Sequence, residues 1–149
     1  VDRGKNTYPI AASTDGYLYN HEFGLDDGST TPPTAIDSYI ESSQMDIGDG
    51  EKFVFLSRLI PDLTFTDSTD SSASVDMTLK TRNYPGGTYL QTDSSTITKP
   101  ASAPVQEFTN QVNIRLRGRS FALKVQSSGT GIQWRLGTPR VEIREDGRR

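Results

Sequence analysis

The residue types that could perform chemistry are few in this sequence. His21 is the single histidine and cysteine is absent, which excludes disulfides, thiolate metal sites and multi-histidine metal sites. His21 lies in "GYLYNHEFG", where it follows Tyr17 and Tyr19 at every second position. We therefore interpret it as a structural residue of a strand near a domain boundary.

The acidic residues of "MDIGDGE" come nearest to a metal site. Asp46, Asp49 and Glu51 resemble a calcium loop only loosely, because their spacing misses the alternating oxygen ligands of such loops. A glycine-rich acidic turn between strands is the simpler interpretation. Two carboxylates could serve a glycosidase, but nineteen acidic residues give that idea no specificity. "PGGT" lacks the lysine and helix of a phosphate-binding loop. We predict no enzyme activity, metal, cofactor or small-molecule substrate.

The elements around these residues are strands. Ser, Thr, Gly and Pro are abundant, with 13 Gly and 8 Pro, a composition that favours strands joined by turns. The stretch 112–117 alternates apolar and polar residues, and 120–126, 132–136 and 140–144 do the same, which predicts four strands in an antiparallel meander. "EKFVFLSRLIPDLTF" is apolar at consecutive positions and predicts a central strand buried on both faces, in which Pro61 marks a bend, a bulge or an edge. The fold class is therefore all-β, an antiparallel, jelly-roll-like β-sandwich.

The inward positions of these strands define a candidate core. Trp134, the only Trp, has Ile132 and Leu136 two positions away on either side, so we interpret it as a core anchor. The predicted core comprises Phe53, Phe55, Leu79, Ile114, Leu116, Phe121, Leu123, Val125, Trp134, Leu136, Val141 and Ile143.

A linker divides the chain. "LDDGSTTPPTA" is polar, and Pro32 and Pro33 prevent pairing in a sheet there. We place an amino-terminal strand segment and linker at 1–35 and the β-sandwich domain at 36–149. The chain begins with Val and not with Met, which predicts either a processed chain or a fragment of a longer protein, and we favour a fragment. No apolar run approaches the length of a membrane span.

Charge is distributed asymmetrically along the chain. From Arg115 onward there are nine basic and three acidic residues, a net charge of +6, whereas residues 1–114 carry seven basic and sixteen acidic residues, a net charge of −9. An arginine-bearing face exposed to solvent is one interpretation. A contact surface for DNA, for an acidic partner or for a neighbouring copy that meets it head to tail is another. The candidate contact residues are Arg115, Arg117, Arg135, Arg140, Arg144, Arg148 and Arg149. A second candidate is a ligand loop with Tyr84 and Tyr89 beside "PGG".

Three longer motifs resemble a known family. "MDIGDGEKFVF", "RGRSFALKV" and "WRLGTPRVEIREDGRR" are similar to the carboxyl-terminal region of the packaged-DNA-stabilisation, or tail nozzle, proteins of short-tailed phages. "DGYLYNHEFG" is similar to the last strand of the β-propeller that precedes this region in that family. The resemblance implies that the amino-terminal strand segment is left from an upstream domain.

The resemblance also implies a function. It predicts a structural protein of the virion tail that forms homo-oligomeric rings, contacts other tail proteins, and helps retain DNA in the tail channel without catalysis. A carbohydrate- or receptor-binding β-sandwich of a phage tail is the alternative, and a glycan-cleaving domain is a third hypothesis.

Overall fold

A computed structural model of the chain describes residues 8–47, 50–84, 87, 91–92, 95–98 and 101–147. Within these ranges the chain forms antiparallel strands and no helix, so the all-β prediction is confirmed. No helix that could cross a membrane occurs in the part of the chain described. In chain order the strands are β1 (Ile10–Ala12), β2 (Leu18–Asn20), β3 (Asp26–Asp27), β4 (Thr34–Ala35), β5 (Ser38–Glu41), β6 (Met45–Asp46), β7 (Val54–Ile60), β8 (Leu63–Thr64), β9 (Ser74–Arg82), β10 (Gln91–Thr92), β11 (Ser95–Thr98), β12 (Ala101–Gln106), β13 (Val112–Gly118), β14 (Ser120–Ser127), β15 (Arg135–Leu136) and β16 (Arg140–Glu145).

The larger sheet has five strands, with the two longest at its centre. Its order is β12-β9-β14-β5, and β6 pairs with the other end of β14. Leu123 pairs with Leu79 and Val125 with Met77, and all four side chains are buried on the inner face. The polar residues between them lie on the outer face, where Lys80 forms an ion pair of 2.8 Å with Glu41.

The smaller sheet has three strands in the order β13-β7-β16. The apolar run was correctly predicted to form a central strand, since β7 pairs on both sides. The prediction that this strand is buried on both faces was wrong. Val54, Leu56 and Leu59 point into the core, whereas Phe55 is only half-buried on the opposite face. The register shifts around Ser57 change the phase of β7, because a bulge adds a residue to one strand.

One cluster of buried side chains takes members from both sheets, including Leu56 of β7, Leu116 of β13, Met77 of β9 and Val125 of β14. We interpret the two sheets as the layers of a β-sandwich. Burial of each Leu or Val is worth about 1.5–3 kcal/mol, so this cluster is the main source of stability. The other predicted core residues are either buried or, like Trp134, Leu136, Val141 and Ile143, half-buried against the cluster.

The predicted meander is wrong. β13 belongs to the smaller sheet and β14 to the larger one, so the chain crosses between layers at Gly118 and Arg119. A Cβ atom at Gly118 would lie 2.7 Å from Cβ of Thr81 and 3.1 Å from the carbonyl oxygen of Arg82. Only glycine allows this close approach of the corner to the end of β9. β15 also leaves the expected order and pairs with β8.

The segment before residue 36 contains two small hairpins, β1-β2 and β3-β4. Asp26 of β3 is tied to the rest of the chain, because its two carboxylate oxygens accept hydrogen bonds from the Gly131 amide at 2.7 and 3.0 Å. The domain boundary at residue 35 stays a prediction.

Candidate functional site: an arginine face on the three-stranded sheet

The register of the smaller sheet brings arginines together on its outward face. Phe55 of β7 pairs with Arg117 of β13 on one side and with Arg144 of β16 on the other. Residues paired across antiparallel strands point to the same face. The half-buried Phe55 ring is therefore flanked by two arginines, one on each neighbouring strand.

The same face continues along β7. Arg58 pairs with Asn113 and Glu142, and Ile60 pairs with Arg140. We call this surface the arginine face and define it by the outward residues Phe55, Ser57, Arg58, Ile60, Asn113, Arg115, Arg117, Arg140, Glu142 and Arg144. Five arginines and one glutamate give it a net charge of +4.

Glu142 is shared by two of these arginines. Its carboxylate lies 2.9 Å from an Arg144 nitrogen and 3.0 Å from an Arg58 nitrogen. The hydrogen bond from Arg144 and the charges of both arginines hold the pKa of Glu142 below its ordinary value, although partial desolvation opposes them. One carboxylate cannot neutralise two guanidinium groups, so positive charge remains on the face.

Contacts with Phe53 and Asp146 hold the Arg117 side chain in position. Its guanidinium carbon lies 4.1 Å from the centroid of the buried Phe53 ring, within the range of a cation–π contact. It also forms an ion pair with the Asp146 carboxylate and a 3.3 Å hydrogen bond to the Asp146 carbonyl oxygen. Arg115 and Arg140 have no ion pair within the residues that the structure describes.

The remaining predicted contact residues are not part of this face as described. Arg135 lies on β15, where it pairs with Thr64 in a separate two-stranded sheet, so it does not belong to the three-stranded sheet that carries the other arginines. Alternation showed that Arg135 points outward, but the partner strand depended on the fold. Arg148 and Arg149 lie outside the described residues. The sequence did not predict that Arg58 and Phe55 lie on this face. Both belong to an apolar run in which alternation changes phase at Ser57, and the sequence pattern does not show that change.

The candidate ligand loop is only partly described. Tyr84 is exposed after β9, and its carbonyl oxygen accepts a 3.0 Å hydrogen bond from the Gly87 amide. Tyr89 lies outside the described residues, so the loop stays a prediction.

In the part of the chain described, no group of three potential metal ligands converges. The Asp46 carboxylate instead accepts hydrogen bonds from the Gln44 side-chain amide at 2.8 and 3.0 Å. Asp49 lies outside the described residues.

A shallow cavity of about 350 Å³ lies between the β8–β9 loop and the end of β12. Phe65 and Ala73 line it together with polar side chains such as Asp70 and Gln106, and Phe108 stands at its rim. Phe108 is 86% exposed. Sequence reasoning missed this residue, although a lone aromatic in the polar stretch "VQEFTN" was a usable signal.

No protein-family model matches this chain, and no curated protein matches it.

Proposed function

We propose that this domain is a structural part of a phage virion, a ring-forming tail subunit of the packaged-DNA-stabilisation or nozzle type. It contacts copies of itself and other tail proteins and helps retain DNA, without catalysis. Two independent lines support the proposal: the resemblance of the three sequence motifs, and a surface suited to contacts between subunits.

The arginine face is the observation that carries the proposal. Arg side chains interleave there with Phe55 and Ile60, which are both half-buried. Arginine and aromatic residues are enriched at protein interfaces. Arg117 is already oriented by Phe53 and Asp146, so less conformational entropy is lost on binding.

The chemistry of the face allows two partners. A guanidinium group binds carboxylates and phosphates alike through its planar fork of donors. We favour an acidic surface on a neighbouring copy, because residues 1–114 carry a net charge of −9. DNA in the tail channel is the second partner, and its binding would weaken steeply with salt.

Charge reversal tests the proposal. Arg140→Glu combined with Arg144→Glu should raise the dissociation constant between copies by about tenfold or more, as measured by native mass spectrometry and sedimentation. Both residues are exposed, so the circular dichroism spectrum should be unchanged. The matched control is Lys124→Glu with Arg135→Glu, which changes the charge equally but away from the face.

Other results would overturn the proposal. Normal assembly of the double variant, together with DNA binding that falls steeply between about 50 and 200 mM salt, would make DNA the partner. Electron microscopy of the parent virion that places the domain outside the tail would exclude the tail assignment itself.

The cavity beside Phe108 favours the alternative function, a carbohydrate- or receptor-binding module of a tail. An exposed ring next to carboxylate and amide groups offers both stacking and hydrogen bonding to a sugar. Specific binding on a glycan array that is lost in Phe108→Ala and retained in Arg140→Glu would favour this function over ring formation.

A further inference from the structure

The β1-β2 hairpin has an uncovered apolar face. The pairing of Ala12 with Leu18 and of Ile10 with Asn20 places Ile10, Ala12 and Leu18 on the same side. Ile10 is 50% exposed and Leu18 is 74% exposed. Among the strands that the structure describes, β1 and β2 make their extensive contacts with each other. A two-stranded hairpin is marginally stable on its own in water, so contact between this apolar face and another surface would stabilise it.

Local interactions nevertheless give the hairpin a defined shape. The Asp15 carboxylate at its tip accepts a 3.0 Å hydrogen bond from the Tyr17 amide and a 2.8 Å hydrogen bond from the Tyr19 hydroxyl. These bonds hold the pKa of Asp15 below its ordinary value. Tyr8 and Phe23 meet edge to face at the base, with ring centroids 5.0 Å apart. These contacts favour one shape of the hairpin, which lowers the entropic cost of binding a partner.

The hairpin and the arginine face are complementary in charge. Residues 8–47 contain seven acidic residues and no lysine or arginine. Asp15 lies in the turn of the hairpin and Glu22 follows shortly after β2. The arginine face carries a net charge of +4. Each surface also has an apolar centre, Ile10 and Leu18 on the hairpin and Phe55 and Ile60 on the face.

We propose that residues 8–23, hereafter the arm, dock on the arginine face of a second copy of this chain. The inference deepens the proposed function and rests on its self-assembling subunit. Within one chain Leu18 of the arm and Arg144 of the face are both exposed. In the docked pair the face of one copy covers the apolar side of the other copy's arm, and the acidic arm supplies negative charge to the arginines. Each copy offers one arm and one face, so the contact is head to tail, which generates rings or filaments.

A mixing experiment tests this geometry. The arm variant is Ile10→Ser with Leu18→Ser, and the face variant is Arg140→Glu with Arg144→Glu. Each variant should be monomeric alone in native mass spectrometry. An equimolar mixture, with one variant labelled with ¹⁵N, should form one-to-one heterodimers and nothing larger, because the single intact arm and the single intact face are then used. A mixture that stays monomeric would show that the two surfaces do not meet.

Crosslinking tests the docking without the arm variant, whose two serine substitutions remove apolar side chains from the hairpin. The chain has no cysteine, so Leu18→Cys and Ile60→Cys each introduce a single thiol. When the two are mixed and oxidised, the heterodimeric disulfide should form well above either homodimer. Yields in the ratio of random pairing, in which the heterodimer is only about twice as abundant as either homodimer, would overturn the docking.

Failure of the docking is distinguishable from failure of the proposed function. If the unmodified chain assembles and the arm variant assembles equally well, the arm is not the contact, but ring formation stands. If the unmodified chain stays monomeric at all concentrations, both are overturned.

Discussion

The indole nitrogen of Trp134 lies 3.2 Å from the hydroxyl oxygen of Ser127, the last residue of β14. The same nitrogen lies 3.2 Å from the hydroxyl oxygen of Ser38 on β5, and the two hydroxyl oxygens are 2.9 Å apart. The indole N–H thus links two neighbouring strands of the larger sheet while the ring packs against the core. The only tryptophan acts as a core anchor with a polar end.

Two substitutions separate the contribution of the indole hydrogen bonds from that of the packing of the ring. Trp134→Phe should destabilise the domain by about 1 kcal/mol, mainly through the lost hydrogen bond. Trp134→Ala should cost about 3 kcal/mol, at the lower end of the range for buried Trp because the ring is half-buried. Urea unfolding followed by circular dichroism measures both. Equal effects would show that packing of the ring contributes little.

Gly118 should tolerate no side chain. Gly118→Ala places a Cβ atom 2.7 Å from Cβ of Thr81, and we expect a loss of about 1–3 kcal/mol from overpacking at the corner. Gly28→Ala is the matched control, because a Cβ atom there would have no neighbour within 4 Å. If both variants melt at the same temperature, the corner is not closely packed.

Glu142 should make the stability of the fold depend on pH in the acidic range. Its folded-state pKa is lowered from the ordinary value of 4.5, so its contribution is complete above that value and is lost as the pH falls through the lower, folded-state pKa. Glu142→Gln should melt below the unmodified protein at pH 7, and the difference should shrink as the pH falls below 4.5. Thermal melts across this range test it. Glu107→Gln, the same change of residue at an exposed turn, serves as the control.

Folding should need no metal ion. A chelator should leave the melting temperature unchanged within about a degree, because an ion bound only to the folded state would stabilise it. A large drop that added calcium reverses would restore the calcium interpretation of Asp46, Asp49 and Glu51.

In the strands that alternate regularly, the sequence by itself determined which residues point inward. Ile114 and Leu116 are buried as alternation predicted, and Arg115 and Arg117, which alternate with them, are exposed. Alternation works here because successive side chains of a strand point to opposite faces of the sheet. The outward positions of Arg140 and Arg144 could be predicted in the same way.

Only the tertiary structure decided which strands are partners. β13 pairs with β7 and not with β14, its neighbour in sequence, which brings Phe55 and Arg58 beside the arginines of β13 and β16. β15 pairs with β8, so Arg135 belongs to a different sheet. Strand periodicity is a local property that assigns faces. Pairing and register depend instead on how distant apolar faces pack into one core, and on a bulge at Ser57 that shifts the phase of β7 without leaving a mark in the sequence pattern.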